Sequence, residues 1–179
     1  CFDSGIYGVP TFVIPGAEDS EPELFFGREH LPRLQWELTG IKGPRPDIAY
    51  ESGPLKSSGT KDNERSLAVC IDFKSAESFL AIEPTIKACN ESETEIDWRI
   101  VKRPPLKQHS MPADTSSRGE MHRFFRSRYI ARDLARYASV ELSNIYDEER
   151  SDWAQLGLLW LQEIGEKSTD INHYMQHIF

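Results

Sequence analysis

Ser75 and Ser78 stand where an apolar run, Leu67 to Phe73, gives way to a helical pattern, so both hydroxyls are expected at a helix N-terminus. Unpaired backbone N–H groups and the helix dipole favour negative charge at such a point, and serine is also among the commonest residues to cap one. The three cysteines, Cys1, Cys70 and Cys89, are odd in number and widely spaced, which suits reduced thiols better than a disulfide framework. Cys70 falls in the apolar run and Cys89 on an apolar helix face, so both read as core residues. Arg128, Arg132 and Arg136 recur at i, i+4 spacing. Such a stripe can meet an anionic ligand, but the simpler expectation is a solvated face paired with Asp133 or Glu141. His173 and His177 share a helical face without a HExxH motif or a third ligand, so no metal site is expected. No phosphate-cradling glycine loop or nucleophile elbow is present, and Asn90-Glu91-Ser92 reads as a chance glycosylation acceptor.

The elements that must position these groups follow from periodicity. Gly8 to Ile14 is a short β-branched and aromatic run, and Glu23 to Phe26 follows after the turn-rich segment Pro15 to Pro22, which predicts a hairpin. Glu29 to Leu38 places Leu31, Leu34 and Leu38 at helical spacing and stops at Thr39-Gly40, where glycine can take the left-handed cap. Residues 41–66 are rich in breakers and read as a linker. Leu67 to Phe73 reads as a strand buried on both faces of a sheet. Ser75 to about Asn90 is helical, with Phe79, Ile82, Ile86 and Cys89 on one side and a kink expected at Pro84. Glu95 to Val101 alternates as a half-exposed strand should, so the three form a βαβ unit with parallel strands. After the proline-containing loop Arg103 to Ser117, helices are expected over Arg118–Ser139, Ser151–Ile164 and from Asp170 to the end.

The chain of 179 residues is long enough for one ordinary core or two incomplete ones. A net charge of -8 argues against an extended phosphate-binding surface, so no nucleic acid is expected as a partner. No apolar run approaches the roughly 20 residues of a spanning helix, and the N-terminus lacks a secretory pattern; no membrane association and a cytoplasmic location are the expectations.

Gly5-Ile6-Tyr7-Gly8-Val9-Pro10-Thr11-Phe12-Val13, Phe26-Gly27-Arg28-Glu29-His30-Leu31 and Ile71-Asp72-Phe73-Lys74-Ser75-Ala76-Glu77-Ser78-Phe79-Leu80-Ala81 together resemble the thioredoxin-like superfamily. The likeness is to the DsbA-like group that includes kappa-class glutathione transferases and 2-hydroxychromene-2-carboxylate isomerases; Arg118 through Ala138 looks like the opening of that group's helical insertion. The resemblance implies an α/β fold with a thioredoxin-like mixed sheet, a cis bond before Pro10, and glutathione as cosubstrate. It implies that Ser75 is the catalytic hydroxyl that holds the thiol, that Ser78 takes the second cysteine position, that Val9 and Pro10 pair with the cysteinyl backbone, and that Gly27 and Glu29 seat the glutamyl end. With serines at both positions, dithiol exchange at this site is excluded. Between them stand Ala76 and Glu77, where the family usually has proline and an aromatic or histidine; a carboxylate so close opposes a thiolate and raises its pKa.

The element order is permuted relative to the family, whose βαβ half comes first. The expected organisation is the C-terminal half of one thioredoxin-like unit over 1–40, a linker over 41–66, the βαβ N-terminal half of a second over 67–103, and an incomplete helical insertion over 104–179. Such an order fits the junction of two tandem copies, or else a circular permutation, and the two halves are expected to dock as one four-stranded sheet because each exposes an apolar face. Two functions compete. One is a glutathione-dependent transferase or isomerase acting on a small electrophile; the other is a catalytically degenerate thioredoxin-like module that binds peptide or packs against a tandem copy or a homodimer partner.

Overall fold

Alternation at Thr11–Ile14 (β1) and Glu23–Phe26 (β2) produces an antiparallel pair with Thr11 opposite Phe26 and Ile14 opposite Glu23. A computed structural model of the chain describes residues 5–16, 20–40, 42–48, 66–104, 106–115, 117–138, 141–142 and 151–178. It divides into two compact units, one of Cys1–Gly59 with Gln108–Asp133, the other of Thr60–Lys107 with Leu134–Phe179. Most of the expected linker, residues 49–65, lies outside the described residues, as does Cys1.

In the first unit the Gly27 N–H donates to the Pro10 carbonyl at 3.0 Å and continues the β1–β2 ladder. That bond sets its phase. Phe12 and Phe25 face each other across the bonded positions, whereas Thr11 and Val13 turn their N–H and C=O to the outer edge of β1. Phe25 is fully buried. A one-turn 3-10 segment, Arg28–His30, leads into Leu31–Thr39 (α1), with Pro32 in the first turn, and Gly40 closes the helix at φ 61° in the left-handed region. Arg118–Tyr137 (α3) contributes its residues up to Asp133 to this unit.

The second unit is built on a βαβ. Ser66–Ile71 (β3) runs parallel to Glu95–Ile100 (β4), joined by Ala76–Glu91 (α2), which continues through Pro84. Asp152–Glu163 (α4) and Ser168–His177 (α5) complete it. Ile71, Phe73, Ile82, Ile86, Cys89, Ile96, Trp98, Leu158 and Met175 form one core. Gly157 is where α4 and α5 come close: a Cβ there would lie 2.8 Å from Tyr174 Cζ, and the Tyr174 hydroxyl donates to the Ala154 carbonyl at 2.9 Å.

The class is mixed α/β, but two expectations are corrected. The described strands form two separate two-stranded sheets, β1–β2 and β3–β4, and not one four-stranded sheet. The β3 strand is not buried on both faces: Val69 and Ile71 meet the core, while Ser66, Ala68 and Cys70 on the alternate face are exposed. An apolar run reports that a strand can be covered twice, yet among the described residues only β4 pairs with β3. Cys70 is therefore a surface thiol and Cys89 a core one. No helix of the described residues is long and apolar enough to cross a membrane.

Candidate functional site

The junction from β3 to α2 is organised by Asp72, a buried residue. Its Oδ1 accepts from the Lys74 N–H at 3.0 Å, the Asx-turn geometry of a carboxylate reaching two residues ahead, and its Oδ2 accepts from the Arg103 N–H at 2.8 Å. The Asp72 backbone is used as well: its N–H donates to Ser78 Oγ at 3.1 Å and its carbonyl accepts from the Ser75 N–H at 2.9 Å. Ser75 is the N-cap of α2, in extended backbone at φ -102° and ψ 118°, and its Oγ accepts from the Ser78 N–H at 3.2 Å. The Ser75 Oγ–H donates to Glu77 Oε2 at 3.3 Å, and Arg103 Nη1 holds the same oxygen at 3.0 Å. Both candidate serines are thus engaged by the turn they sit in, and the acceptor at the Ser75 hydroxyl is a carboxylate.

Val9, Pro10, Gly27 and Glu29 lie in the first unit, Ser75 and Ser78 in the second. The Val9–Pro10 bond is cis, as the resemblance implies. Val9 is 86% exposed, and the Thr11 hydroxyl donates to the Gly8 carbonyl at 2.7 Å. The Glu29 carboxylate folds over Gly27, whose φ of 109° suits glycine and where a Cβ would collide with that carboxylate. The structure therefore brings Pro10, Gly27 and Glu29 together at the end of the hairpin.

A further cluster escaped sequence reasoning. The Tyr129 hydroxyl of α3 accepts from the Phe26 N–H at 2.8 Å, covering the outer edge of β2, and lies 3.1 Å from Nε2 of buried His30 and 3.3 Å from Asp133 Oδ1, to which it donates. Of the arginine stripe expected to pair with Asp133 or Glu141, Arg132 pairs with Glu21. The partners are 99 and 103 residues apart for Tyr129 and 111 for Arg132, beyond any local pattern. Among the described residues no group of three or more His, Cys, Asp or Glu is placed to hold a metal ion; His173 and His177 pair only with each other, ring centroids 4.2 Å apart.

Tyr7 packs against Phe26 and Tyr129, with ring centroids 4.8 and 5.5 Å away. Burial, then the neighbouring Tyr129, pushes its phenol above the ordinary value of 10.0. The folded chain holds this proton more tightly than the unfolded chain does, so the associated stability is whole below pH 10.0 and is lost as pH rises toward the folded value. Urea denaturation at stepped pH should show stability falling from about pH 10 upward, and Tyr7→Phe should flatten that fall. An unchanged slope in the variant would show that Tyr7 does not govern it.

No family model, curated protein or solved structure matches the chain.

Proposed function

We propose that the chain is a thioredoxin-like module, of the DsbA and kappa-class kind, that has lost thiol chemistry at its helix tip and binds an extended peptide along the open edge of β1. Support for the binding comes from the phase of the hairpin. Thr11 and Val13 direct N–H and C=O away from β2, no described residue pairs with them, and Val13 is 46% exposed. Two outward pairs two residues apart are what β-strand addition requires, with main-chain bonds giving affinity and side chains at alternate positions giving selectivity. Support for the loss of chemistry comes from Ser75. A bound thiolate would need the hydroxyl proton already donated to Glu77, and would lie beside that carboxylate.

Two titrations of the intact chain, followed by amide chemical shifts, separate this reading from a glutathione-dependent enzyme. Reduced glutathione up to about 10 mM should leave Ser75 and Ser78 unmoved, while a capped hexapeptide of alternating Val and Thr should shift Thr11 and Val13. Val13→Pro deletes one outward donor and keeps the Phe12–Phe25 positions, so it should abolish peptide binding. Glutathione shifts mapping to Ser75 would establish the transferase or isomerase reading in its place; peptide binding that survives Val13→Pro would end the edge-binding one.

A further inference from the structure

Residues 125, 128, 129 and 132 fall on one face of α3 at i, i+3, i+4 and i+7. With Glu21 just before β2 and Leu24 within it, the side chains Phe125, Arg128, Tyr129 and Arg132 line a cavity of about 250 Å³ wholly within the first unit. We propose that this cavity is a binding site for a small organic anion: a carboxylate or phosphate monoester carried on a short apolar or single-ring body.

The charge comes from two guanidinium groups. Arg132 Nη2 pairs with Glu21 Oε2, and that hydrogen bond holds the Glu21 carboxyl below its ordinary range, with a smaller contribution from Arg128. Arg128 itself is ion-paired with no carboxylate among the described residues; its guanidinium stands 5.6 Å from the centroid of the Phe124 ring. Among the side chains that line the cavity two cations stand against one carboxylate, while the nearby Asp133 carboxylate is engaged by the Tyr129 hydroxyl, so the wall of the cavity is positive in a chain whose net charge is -8. A guanidinium also offers a planar fork of donors that matches a carboxylate or phosphate in bidentate fashion.

The apolar requirement comes from the other walls. Leu24 and the Phe125 and Tyr129 rings supply hydrocarbon surface, and the Tyr129 hydroxyl is already engaged by Phe26, His30 and Asp133. Recognition of the anion therefore falls to the arginines and recognition of the body to the rings. The volume lies below the roughly 300–1,000 Å³ of pockets that take drug-sized ligands, which sets the size at one ring or a short chain and excludes nucleotides.

The test is a titration of the intact chain with benzoate, phenyl phosphate, inorganic phosphate and neutral benzamide, reading the Gly5 and Leu24 amide shifts. The aromatic anions should saturate with Kd at or below about 1 mM, tighter than inorganic phosphate, and benzamide should not bind. The tighter of benzoate and phenyl phosphate identifies the anionic group as carboxylate or phosphate. Arg128→Gln should weaken binding at least tenfold, and Glu21→Gln, which releases Arg132, should tighten it severalfold. Benzamide binding as well as benzoate, inorganic phosphate binding as well as phenyl phosphate, an absence of saturation, or full affinity in Arg128→Gln would each overturn the proposal. Both substitutions are at exposed side chains, so a folded variant is available for every arm.

Discussion

Asp72→Ala is expected to destabilise the βαβ unit by about 3 kcal/mol, since bonds to a charged acceptor are worth roughly 1.5–3 kcal/mol each and the carboxylate accepts two backbone N–H groups, from Lys74 and Arg103. Those two donors bracket the unit. Lys74 lies in the turn between β3 and α2, while Arg103 follows β4, so one buried side chain fixes both the entry to the helix and the exit of the second strand. The thiol of Cys89, buried on α2, gives a direct readout: its labelling requires opening of the core, and 3 kcal/mol corresponds to roughly 150-fold more of the open form. Asp72→Asn separates charge from geometry. It keeps one carbonyl oxygen and places an amide N–H₂ against a donor, so it should fall between alanine and the parent. Labelling of Cys89 unchanged in Asp72→Ala would mean that the two N–H groups find water without cost.

The same turn is the basis of the proposed loss of thiol chemistry at the helix tip. A hydroxyl that holds a thiolate must have a free donor, whereas the geometry of this turn has the Ser75 O–H donating to Glu77 while its oxygen accepts from the Ser78 N–H; Ser78 Oγ serves the turn as acceptor for the Asp72 N–H. The cap is a folding device first. Glu77 adds a carboxylate to the helix N-terminus, where a negative side chain is favourable, and so occupies electrostatically the place that a thiolate would take.

How far the sequence alone reached depends on the range of the interactions. Periodicity locates the hairpin, α1 with its glycine cap at Gly40, the βαβ elements and the three later helices, because each is written in neighbours two residues apart for the strands and three or four for the helices. It placed Ser75 at the head of α2 for the same reason. Asp72 is within reach too, since an aspartate three residues before the helix cap is a turn-former, but the Arg103 contact that makes it central spans 31 residues. Tyr129, His30 and the Glu21–Arg132 pair had no local signature. The four-stranded sheet was inferred from the need to cover apolar strands, and that need states only that β1 and β3 are able to accept a neighbour, without naming it. Cys70 departs from the expected core position for the same reason: it follows an apolar rhythm, yet its side of β3 is exposed.

Trp98→Ala should be the most damaging single substitution in the second unit, at about 4 kcal/mol, within the range of large-to-small changes of buried aromatics. The ring is 2% exposed, sits on the core face of β4 with Ile71, Ile96, Leu158 and Met175, and has little space into which neighbours can relax. Its polar atom also joins α5 to the sheet, because Nε1–H donates to Asn172 Oδ1 at 2.9 Å, while the Trp98 carbonyl accepts from Gln162 Nε2 of α4 at 2.8 Å. Trp98→Phe keeps one aromatic ring but loses both the indole N–H and part of the buried volume, so it should cost about 2 kcal/mol, from one lost hydrogen bond and a small cavity. The difference between the two variants measures the packing of the ring that phenylalanine keeps. Urea midpoints at constant slope would give both values. If the phenylalanine and alanine variants were equally unstable, the stability would lie in the part of the indole that phenylalanine lacks, its N–H bond to Asn172 included, and not in the ring that it keeps.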